Sequence, residues 1–226
     1  NDGNLLSYFA KKSRILGVTP EDIARVAIER GVPTIQKYFT NEVADEIIKD
    51  HGKAKIITAT NVFAHIDNVD DIMNSVIKIL TDDGIFVTES HYVYNLIKEV
   101  QYDTIYHEHL RYYSVCSLNY LFEKFGLEII KAKKINTHGG SIRVYAAKKN
   151  KYKVDDSFKT LMNKEKKEIF NENLFDFQNK VLESKIALYS LLNKIKKKNT
   201  VIYGISAPSR ATTLINYMGI GRDILK

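Results

Sequence analysis

Short apolar runs alternate with helical segments through the first part of the chain, and this alternation limits the possible folds more than any other feature. Residues 15–18, 55–59 and 85–89 are apolar runs that predict buried strands, and residues 20–30 and 69–80 predict helices between them. Short strands that are apolar throughout and bracketed by helices are typical of a parallel sheet covered on both faces. The sequence therefore predicts an α/β fold with ligands at the carboxyl ends of the strands.

The second part of the chain predicts different elements. Residues 127–136 and 141–148 read as two strands of a hairpin at a sheet edge, and residues 155–198 as one or two long helices. A further strand at 200–204, followed by a helix over 206–218, predicts the opening of a second α/β unit. We therefore expect three parts, namely 1–150 as the main domain, 151–198 as a helical connector, and 199–226 as the truncated start of a C-terminal domain.

Composition excludes several classes of protein. The chain has 226 residues, 44% hydrophobic and 27% charged, as in ordinary globular proteins. It contains no run of about 18 apolar residues and no basic, apolar leader, so we expect no membrane span and a cytoplasmic location. Cys116 is the only cysteine, which excludes an internal disulfide and a CxxC metal site. Because the chain starts with Asn1 rather than Met, we expect it to begin inside a longer protein.

The formal net charge of +7 leaves three classes of partner open: nucleic acid, a membrane surface, or an anionic small molecule. Much of the positive charge lies on predicted helices, at residues 164–167 and 194–198, where it is typical of a solvated helix surface. No nucleic-acid-binding motif is present. We expect no nucleic-acid or membrane partner, while the charge suits an anionic ligand without requiring one.

The segment Tyr102–His109 is the densest group of chemically capable side chains. Tyr106, His107, Glu108 and His109 follow one another, and in an extended segment the two histidines would point to the same side, opposite to Glu108. A histidine is a natural general base near neutral pH, and a carboxylate beside it can orient it. Three interpretations stay open on the residues alone: a hydrogen-bonded polar loop, an acid–base site, or a zinc site completed by His91 or His138.

Three further segments carry candidate ligand-binding residues. Asn61 and His65 follow the predicted strand 55–59, where they form either a ligand edge or a capped helix start with a surface histidine. The turn Thr137–Gly140, with Arg143 after it, is either a plain hairpin turn or a close approach to an anionic ligand. Ser206 and Arg210 open a helix after a strand, an arrangement suited to a phosphate but without a specific phosphate-binding spacing.

Together these segments resemble the sugar C-methyltransferases of deoxysugar biosynthesis, over residues 1–226. The matching strings are Asn1-Asp2-Gly3, Asn61-Val62-Phe63-Ala64-His65, Tyr102 through His109, His138-Gly139-Gly140-Ser141-Ile142-Arg143, and Tyr203 through Arg210. The Tyr-His-Glu-His string with the His-Gly-Gly-Ser string after it is the specific part. The resemblance implies a Rossmann-like class I methyltransferase fold, followed by the start of a second Rossmann-like α/β domain. The family's zinc-binding module would precede this chain, so we expect no metal here.

The resemblance also implies roles for individual residues. Cofactor-binding positions for S-adenosylmethionine would be Asp2, Gly3, Thr19 and Asn61. The catalytic cluster would comprise His109 as the base with Glu108, Tyr106 and His65. For the substrate, a nucleotide-linked 4-keto deoxysugar, the candidate residues are His138, Arg143, Ser206 and Arg210. In the family an acidic residue follows the second strand, whereas this chain has Thr19 there.

The implied reaction is methylation of a sugar carbon. A ketone acidifies the neighbouring carbon, His109 removes the proton, and Tyr106 or His65 stabilises the enolate oxygen. Two alternatives remain: a methyltransferase of the same architecture that acts on a sugar oxygen or another acceptor, and a nucleotide-sugar-binding protein without methyl transfer. We expect a monomer or homodimer.

Overall fold

The computed structural model describes residues 2–168, 173–198 and 200–226; Asn1 and part of the predicted connector lie outside the described residues. The chain divides into two compact units, residues 1–57 with 68–84, and residues 58–67 with 85–226. Each is described by itself below. The division predicted from the sequence, at residues 150 and 198, stays a prediction. Among the described residues, no helix combines the length and the apolar character needed to cross a bilayer.

The first unit is a small α/β assembly around an aliphatic core. Its complete elements are α1 (Asn4–Ser7), β1 (Gly17–Val18), α2 (Ala24–Glu29), β2 (Thr34–Ile35), α3 (Asn41–His51) and α4 (Val69–Ile79). Strands β1 and β2 pair in parallel, as the alternation predicted. The buried Val43, Ala44 and Ile47 of α3 meet Ile79 of α4, with side chains from both strands packed around them. Burial of this apolar face stabilises α3 and α4, because both helices are amphipathic.

The second unit is built on a four-stranded sheet with the order β3-β4-β6-β5. Strands β3 (Ala54–Thr60) and β4 (Leu80–His91) begin in the residue ranges of the first unit and end in those of the second. Strands β5 (Leu127–Ile135) and β6 (Ser141–Lys148) form the predicted hairpin, and β6 is antiparallel to both β5 and β4. The carboxyl end of β4 therefore lies beside the start of β6, where His91 pairs with Ser141.

Helices and an aromatic cluster complete the second unit. The helices are α5 (Val93–Lys98), α6 (Val115–Lys124), α7 (Asp156–Glu168), α8 (Asn173–Lys196) and α9 (Ser209–Met218), with short 3₁₀ turns at Phe63–His65 and Tyr102–Thr104. Phe63 lies 6.0 Å from Phe86 and 6.4 Å from Phe122 between ring centroids, and all three rings are buried. Aromatic burial on this scale fixes the 3₁₀ turn that carries His65 against the sheet.

A buried carboxylate ties α7 to the start of α6. Glu165 is fully buried and accepts hydrogen bonds from the Tyr92 hydroxyl at 2.6 Å and from the backbone N–H groups of Val115 and Cys116 at 2.6 and 2.8 Å. An anion at a helix N-terminus satisfies amide groups that have no partner within the helix. Burial, with Glu165 beside it, raises the pKa of the Cys116 thiol to about 11.

Helix α6 is capped by Ser114, which forms a reciprocal capping box with Ser117. One local prediction needs correction. The strand predicted at 200–204 is reduced to one isolated bridge between Ile202 and Leu225. A strand needs a partner backbone along its whole length, and among the described residues only 225 and 226 supply one here.

Candidate active site

Hydrogen bonds hold the segment after the second 3₁₀ turn against the residues in and after the first 3₁₀ turn. The Leu110 N–H donates to the Ala64 carbonyl at 3.0 Å, and the Arg111 guanidinium donates to the Ile66 and Asp67 carbonyls, the latter at 2.8 Å. These bonds bring two segments that are 44 residues apart in the sequence into contact. His65 and the Tyr-His-Glu-His string, which were singled out separately in the sequence, therefore meet in one place.

His109 lies at the centre of an aromatic cluster. Its ring centroid is 4.6 Å from that of Tyr106, 5.0 Å from His65, 5.7 Å from Tyr112 and 6.3 Å from His91. The Tyr106 hydroxyl is 3.4 Å from Nε2 of His109. Nδ1 of His109 is buried and has no hydrogen-bond partner among the described residues. The structure thus brings together three of the four residues predicted as catalytic.

This environment favours the neutral imidazole of His109. Burial lowers the pKa of His109, and the neighbouring His65 and His91 lower it further. The Thr104 backbone and the Glu108 carboxylate act in the opposite direction and do not reverse the shift. A histidine with a lowered pKa holds an unprotonated ring nitrogen at neutral pH, which a general base requires.

Tyr106 and Tyr112 stay protonated beside His109. Burial raises the pKa of both hydroxyls, and the Glu108 charge adds to the shift for Tyr106. The Tyr112 hydroxyl donates to the Thr104 carbonyl at 2.9 Å, which holds the loop in place. Tyr106 can therefore act as a hydrogen-bond donor next to the base.

His107 and Glu108 do not point into the cluster, and the expected extended geometry was wrong. The His109 N–H donates to the Tyr106 carbonyl at 3.1 Å, so the segment turns, and period-two alternation does not apply. His107 and Glu108 are both exposed and lie 4.0 Å apart as a surface pair. Within the described ranges, no group of three or more histidine, cysteine or acidic side chains has the geometry to hold a metal ion.

His91, predicted from the sequence only as an alternative zinc ligand, has a different place in the structure. His91 ends β4, is 8% exposed, and its Nε2 lies 2.9 Å from Oε1 of Gln101. The Gln101 amide nitrogen donates to Glu99 Oε2 at 2.8 Å and to the Gly139 carbonyl at 2.7 Å. Asn61 was predicted to bind a ligand because it follows the carboxyl end of a strand. The same criterion at the end of β4 would have identified His91.

The turn before β6 is shaped by two glycines that take positive φ. Gly139 has φ +77° and Gly140 has φ +108°, and a Cβ on either would overlap the side chain of Gln101 or Asn95, respectively. His138, in the same turn, has φ +53° and an exposed side chain. The tight turn is thus required by packing against α5 and the residues after it.

The two arginines predicted to bind substrate are each paired with a carboxylate. Arg143 contacts the buried Glu89 at 2.7 and 2.8 Å, and Arg210 forms a bidentate pair with Asp103 at 2.9 and 3.0 Å. Ser206 is exposed and has φ +67°. The positive charge of both guanidinium groups is therefore balanced within the protein before any ligand arrives.

A groove of about 260 Å³ lies between the start of α9 and the Tyr-His-Glu-His string. Its walls comprise Tyr106, His107, Ala207, Ser209, Thr212, Thr213 and Asn216. The Thr213 hydroxyl donates to the Ile105 carbonyl at 3.2 Å, next to the Arg210–Asp103 pair. Helix α9 thus contacts the same segment that carries His109, and its hydroxyl and amide side chains give the groove a polar wall.

The predicted cofactor-binding residues fall in both units. In the first, Gly3 has φ +77° and a Cβ there would come within 3.0 Å of Ala27 and Val32, so the Asp2–Gly3 turn excludes a side chain. The Asp2 carboxylate accepts from the Asn4 N–H and from Arg30, which lower its pKa. In the second unit, Asn61 has φ +53°, and its N–H donates to the Glu89 carbonyl.

Thr19 closely follows the parallel strand β1 and is 6% exposed. Its N–H donates to the Ile35 carbonyl at 3.1 Å, and its hydroxyl accepts weakly from the Glu21 N–H at 3.5 Å. A hydroxyl at the carboxyl end of a parallel strand can bind a ribose hydroxyl. The turn at Gly3 and the position of Thr19 fit a nucleoside-containing methyl donor.

Comparison with known proteins gives two family matches. The methyltransferase domain family matches residues 1–132, and the C-methyltransferase C-terminal domain family matches residues 136–226. The C-methyltransferase NovU of Streptomyces niveus is 42% identical over 149 residues. This alignment covers 65% of the chain and 36% of the relative, so the chain spans well under two thirds of that protein's length.

Solved structures support the fold. An S-adenosylmethionine-dependent methyltransferase from Clostridium acetobutylicum matches with a TM-score of 0.50 at 15% identity, over 65% of this chain and 80% of that chain. The magnesium protoporphyrin IX methyltransferase of Synechocystis, with bound S-adenosylhomocysteine, matches with a TM-score of 0.50 at 10% identity, over 65% and 70%. The class I methyltransferase fold expected from the sequence is confirmed.

Proposed function

The chain belongs to the methyltransferase domain family, and from this premise we propose that the protein transfers a methyl group from S-adenosylmethionine to a carbon atom of a nucleotide-linked 4-keto deoxysugar. The observation that carries the proposal is the position of His109, half-buried among His65, Tyr106 and Tyr112, where burial lowers its pKa. A carbon acceptor, unlike most oxygen acceptors, must lose a proton from carbon, which demands a positioned base.

The similarity to a C-methyltransferase and the match to the C-methyltransferase C-terminal domain favour carbon over oxygen as the acceptor. A ketone beside the acceptor carbon makes its proton acidic enough for a histidine to remove. The groove beside Tyr106 and His107, bordered by α9, is the proposed location of the substrate. Ser206 and His138 remain candidates for substrate contact, since both are exposed.

The proton is taken at Nε2 of His109. Nδ1 is buried, so the ring presents Nε2, which lies 3.4 Å from the Tyr106 hydroxyl, to the substrate. The Thr104 backbone stabilises the protonated ring after the transfer. The Tyr106 hydroxyl, protonated at neutral pH, donates to the oxygen on which the enolate charge develops. His65 packs edge-on against His109 and keeps water from that side of the base.

The methyl donor would be held by Asp2, Gly3 and Thr19 of the first unit, and the role of Asn61 stays a prediction from the resemblance. When bound, it supplies an electrophilic methyl group on a sulfonium. The side chain of Glu108 is exposed. Glu108 therefore acts only through its charge, which raises the pKa of His109. The zinc-binding module and the nucleotide remain predictions from the resemblance, and the cytoplasmic location remains a prediction from the composition.

The test is an acceptor panel with S-adenosylmethionine and thymidine diphosphate-linked 4-keto-6-deoxyglucose and its deoxy analogues, read by mass spectrometry and carbon NMR. We expect a product with a new methyl carbon bonded to the sugar carbon beside the ketone, and loss of deuterium placed at that carbon. A methoxy signal with the deuterium retained would establish the oxygen-methylating alternative. Binding of the sugar nucleotide without binding of S-adenosylmethionine would establish the alternative of a binding protein.

A further inference from the structure

Gln101 fixes the position of the proton on His91. Both N–H groups of the Gln101 amide are used, because Glu99 Oε2 and the Gly139 carbonyl can only accept. Its oxygen therefore faces Nε2 of His91 at 2.9 Å and can only accept as well. Nε2 must carry the hydrogen, which leaves Nδ1 of the neutral ring as a bare acceptor.

The structure leaves this acceptor without a partner. Nδ1 of His91 is buried and makes no hydrogen bond to any described residue. Burial lowers the pKa of His91, and the hydrogen bond to Gln101 acts in the opposite direction without reversing the shift. An unpaired acceptor in a buried site costs free energy, and such a group is usually satisfied in at least one functional state.

Nδ1 of His109 is the complementary unpaired atom. If Nε2 of His109 is the atom that takes the substrate proton, the neutral ring carries its own hydrogen on Nδ1, as a donor. That nitrogen is also buried and makes no hydrogen bond of full geometry to the described residues, and the Thr104 backbone is the acceptor that would compete for its hydrogen. The two ring centroids are 6.3 Å apart, about 1 Å more than a direct N–H···N bond requires.

We propose that His91 is a positioning residue for the base: its Nδ1 accepts a hydrogen bond from Nδ1–H of His109 and so keeps Nε2 of His109 free to take the substrate proton. The inference rests on the proposed function in one respect, namely that His109 is the base. Catalytic hydrogen bonds are often long without substrate and shorten when it binds, so a rotation of either ring closes the remaining gap. Gln101 acts at the far end of this chain of contacts by holding the His91 tautomer.

The experiment measures histidine tautomers directly, without turnover. Protein labelled with ¹⁵N in its histidine rings is examined by NMR at neutral pH, alone and with thymidine diphosphate-linked 4-keto-6-deoxyglucose. We expect His91 as the Nε2–H tautomer and His109 as the Nδ1–H tautomer, with a cross-hydrogen-bond coupling in the complex. The variant His91→Leu should turn His109 into a mixture of tautomers and lower kcat about tenfold, the size of one net hydrogen bond.

Two further variants separate positioning from packing. His91→Asn places a side-chain oxygen where Nδ1 stood, and we expect it to retain the His109 tautomer and most of kcat. His51→Leu, at an exposed histidine at the end of α3, should change neither. His109 as the Nε2–H tautomer in the parent, or an unchanged His109 tautomer in His91→Leu, would overturn the proposal. If no acceptor is methylated but the tautomers are as expected, the proposed function fails and the His91–His109 pairing stands.

Discussion

Two groups of polar side chains in the second unit differ in whether their polar atoms have hydrogen-bond or ion-pair partners within the protein. The cations expected to bind substrate, Arg143 and Arg210, are both paired with carboxylates. The histidine cluster around His109 contains two buried ring nitrogens without a partner among the described residues. Paired charges stabilise the fold locally, whereas unpaired buried polar atoms are retained where chemistry uses them. The difference supports the proposal that the histidine cluster around His109 is the reactive region.

The largest expected effect comes from removing the base. His109→Gln should lower kcat by about 10²–10⁴-fold, because general-base assistance to proton removal is lost. His51→Gln is the control, since His51 is an exposed histidine at the end of α3 to which no role in the site is assigned. Steady-state kinetics with the 4-keto sugar nucleotide measure both variants. Equal losses of kcat in the two variants would mean that the histidine cluster around His109 is not the reactive region.

The turn that contacts this cluster should be intolerant of a side chain. Gly140→Ala adds a Cβ at φ +108° where it would overlap the Asn95 amide. We expect a loss of about 1–3 kcal/mol in the free energy of unfolding, from backbone strain together with displaced packing. Urea denaturation measures it. Gly31→Ala is a suitable control, because it has a similar positive φ of +79° with nothing near its Cβ, so it isolates the backbone part of the loss.

The value of kcat/KM should fall at low pH, as expected for a histidine base whose pKa is lowered. The pKa of His109 lies below the ordinary value of 6.5, so the neutral base is present at neutral pH and is lost as pH falls through that lowered pKa. We expect kcat/KM to fall about tenfold per pH unit on the acid side, with its midpoint below 6.5. A midpoint at or above 6.5 would contradict the buried environment of the base.

The smallest effect is expected at the paired cations. The Arg210–Asp103 pair is partly exposed, at 46% and 29% for the two side chains, and solvent screens it. Asp103→Asn should change the free energy of unfolding by less than about 1 kcal/mol. If Arg210 also binds the substrate diphosphate, Asp103→Asn should lower KM by freeing the guanidinium, while Arg210→Gln raises it. Unchanged KM in both variants would leave Arg210 with a structural role alone.

The sequence predicts the α/β alternation well because it depends on local patterns. The strands at residues 17–18, 54–60 and 80–91 and the helices between them follow apolar runs, turn residues and caps that any reader of the chain can see. The prediction of a strand at 200–204 was wrong, because strand formation depends on a partner backbone, which no local pattern reveals. Strand pairing and the position of β6 between β4 and β5 are likewise properties of the assembled sheet.

The site was predicted in part. His65, Tyr106 and His109 were named from their strings, and the structure brings them together through hydrogen bonds between segments far apart in the chain. The pairing of Arg210 with Asp103 and the contact of His91 with Gln101 were missed. Which polar atoms are satisfied depends on side-chain directions set by tertiary packing, and the sequence does not encode those locally.

One measurement tests the central claim most directly, without requiring the methyl donor. The protein is incubated in D₂O with thymidine diphosphate-linked 4-keto-6-deoxyglucose, and the proton NMR signal of the carbon beside the ketone is followed. We predict that the parent protein exchanges this proton for deuterium and that His109→Gln does so no faster than buffer. Exchange at the parent rate in His109→Gln, or none in a parent protein that methylates carbon, would contradict the assignment of His109 as the base.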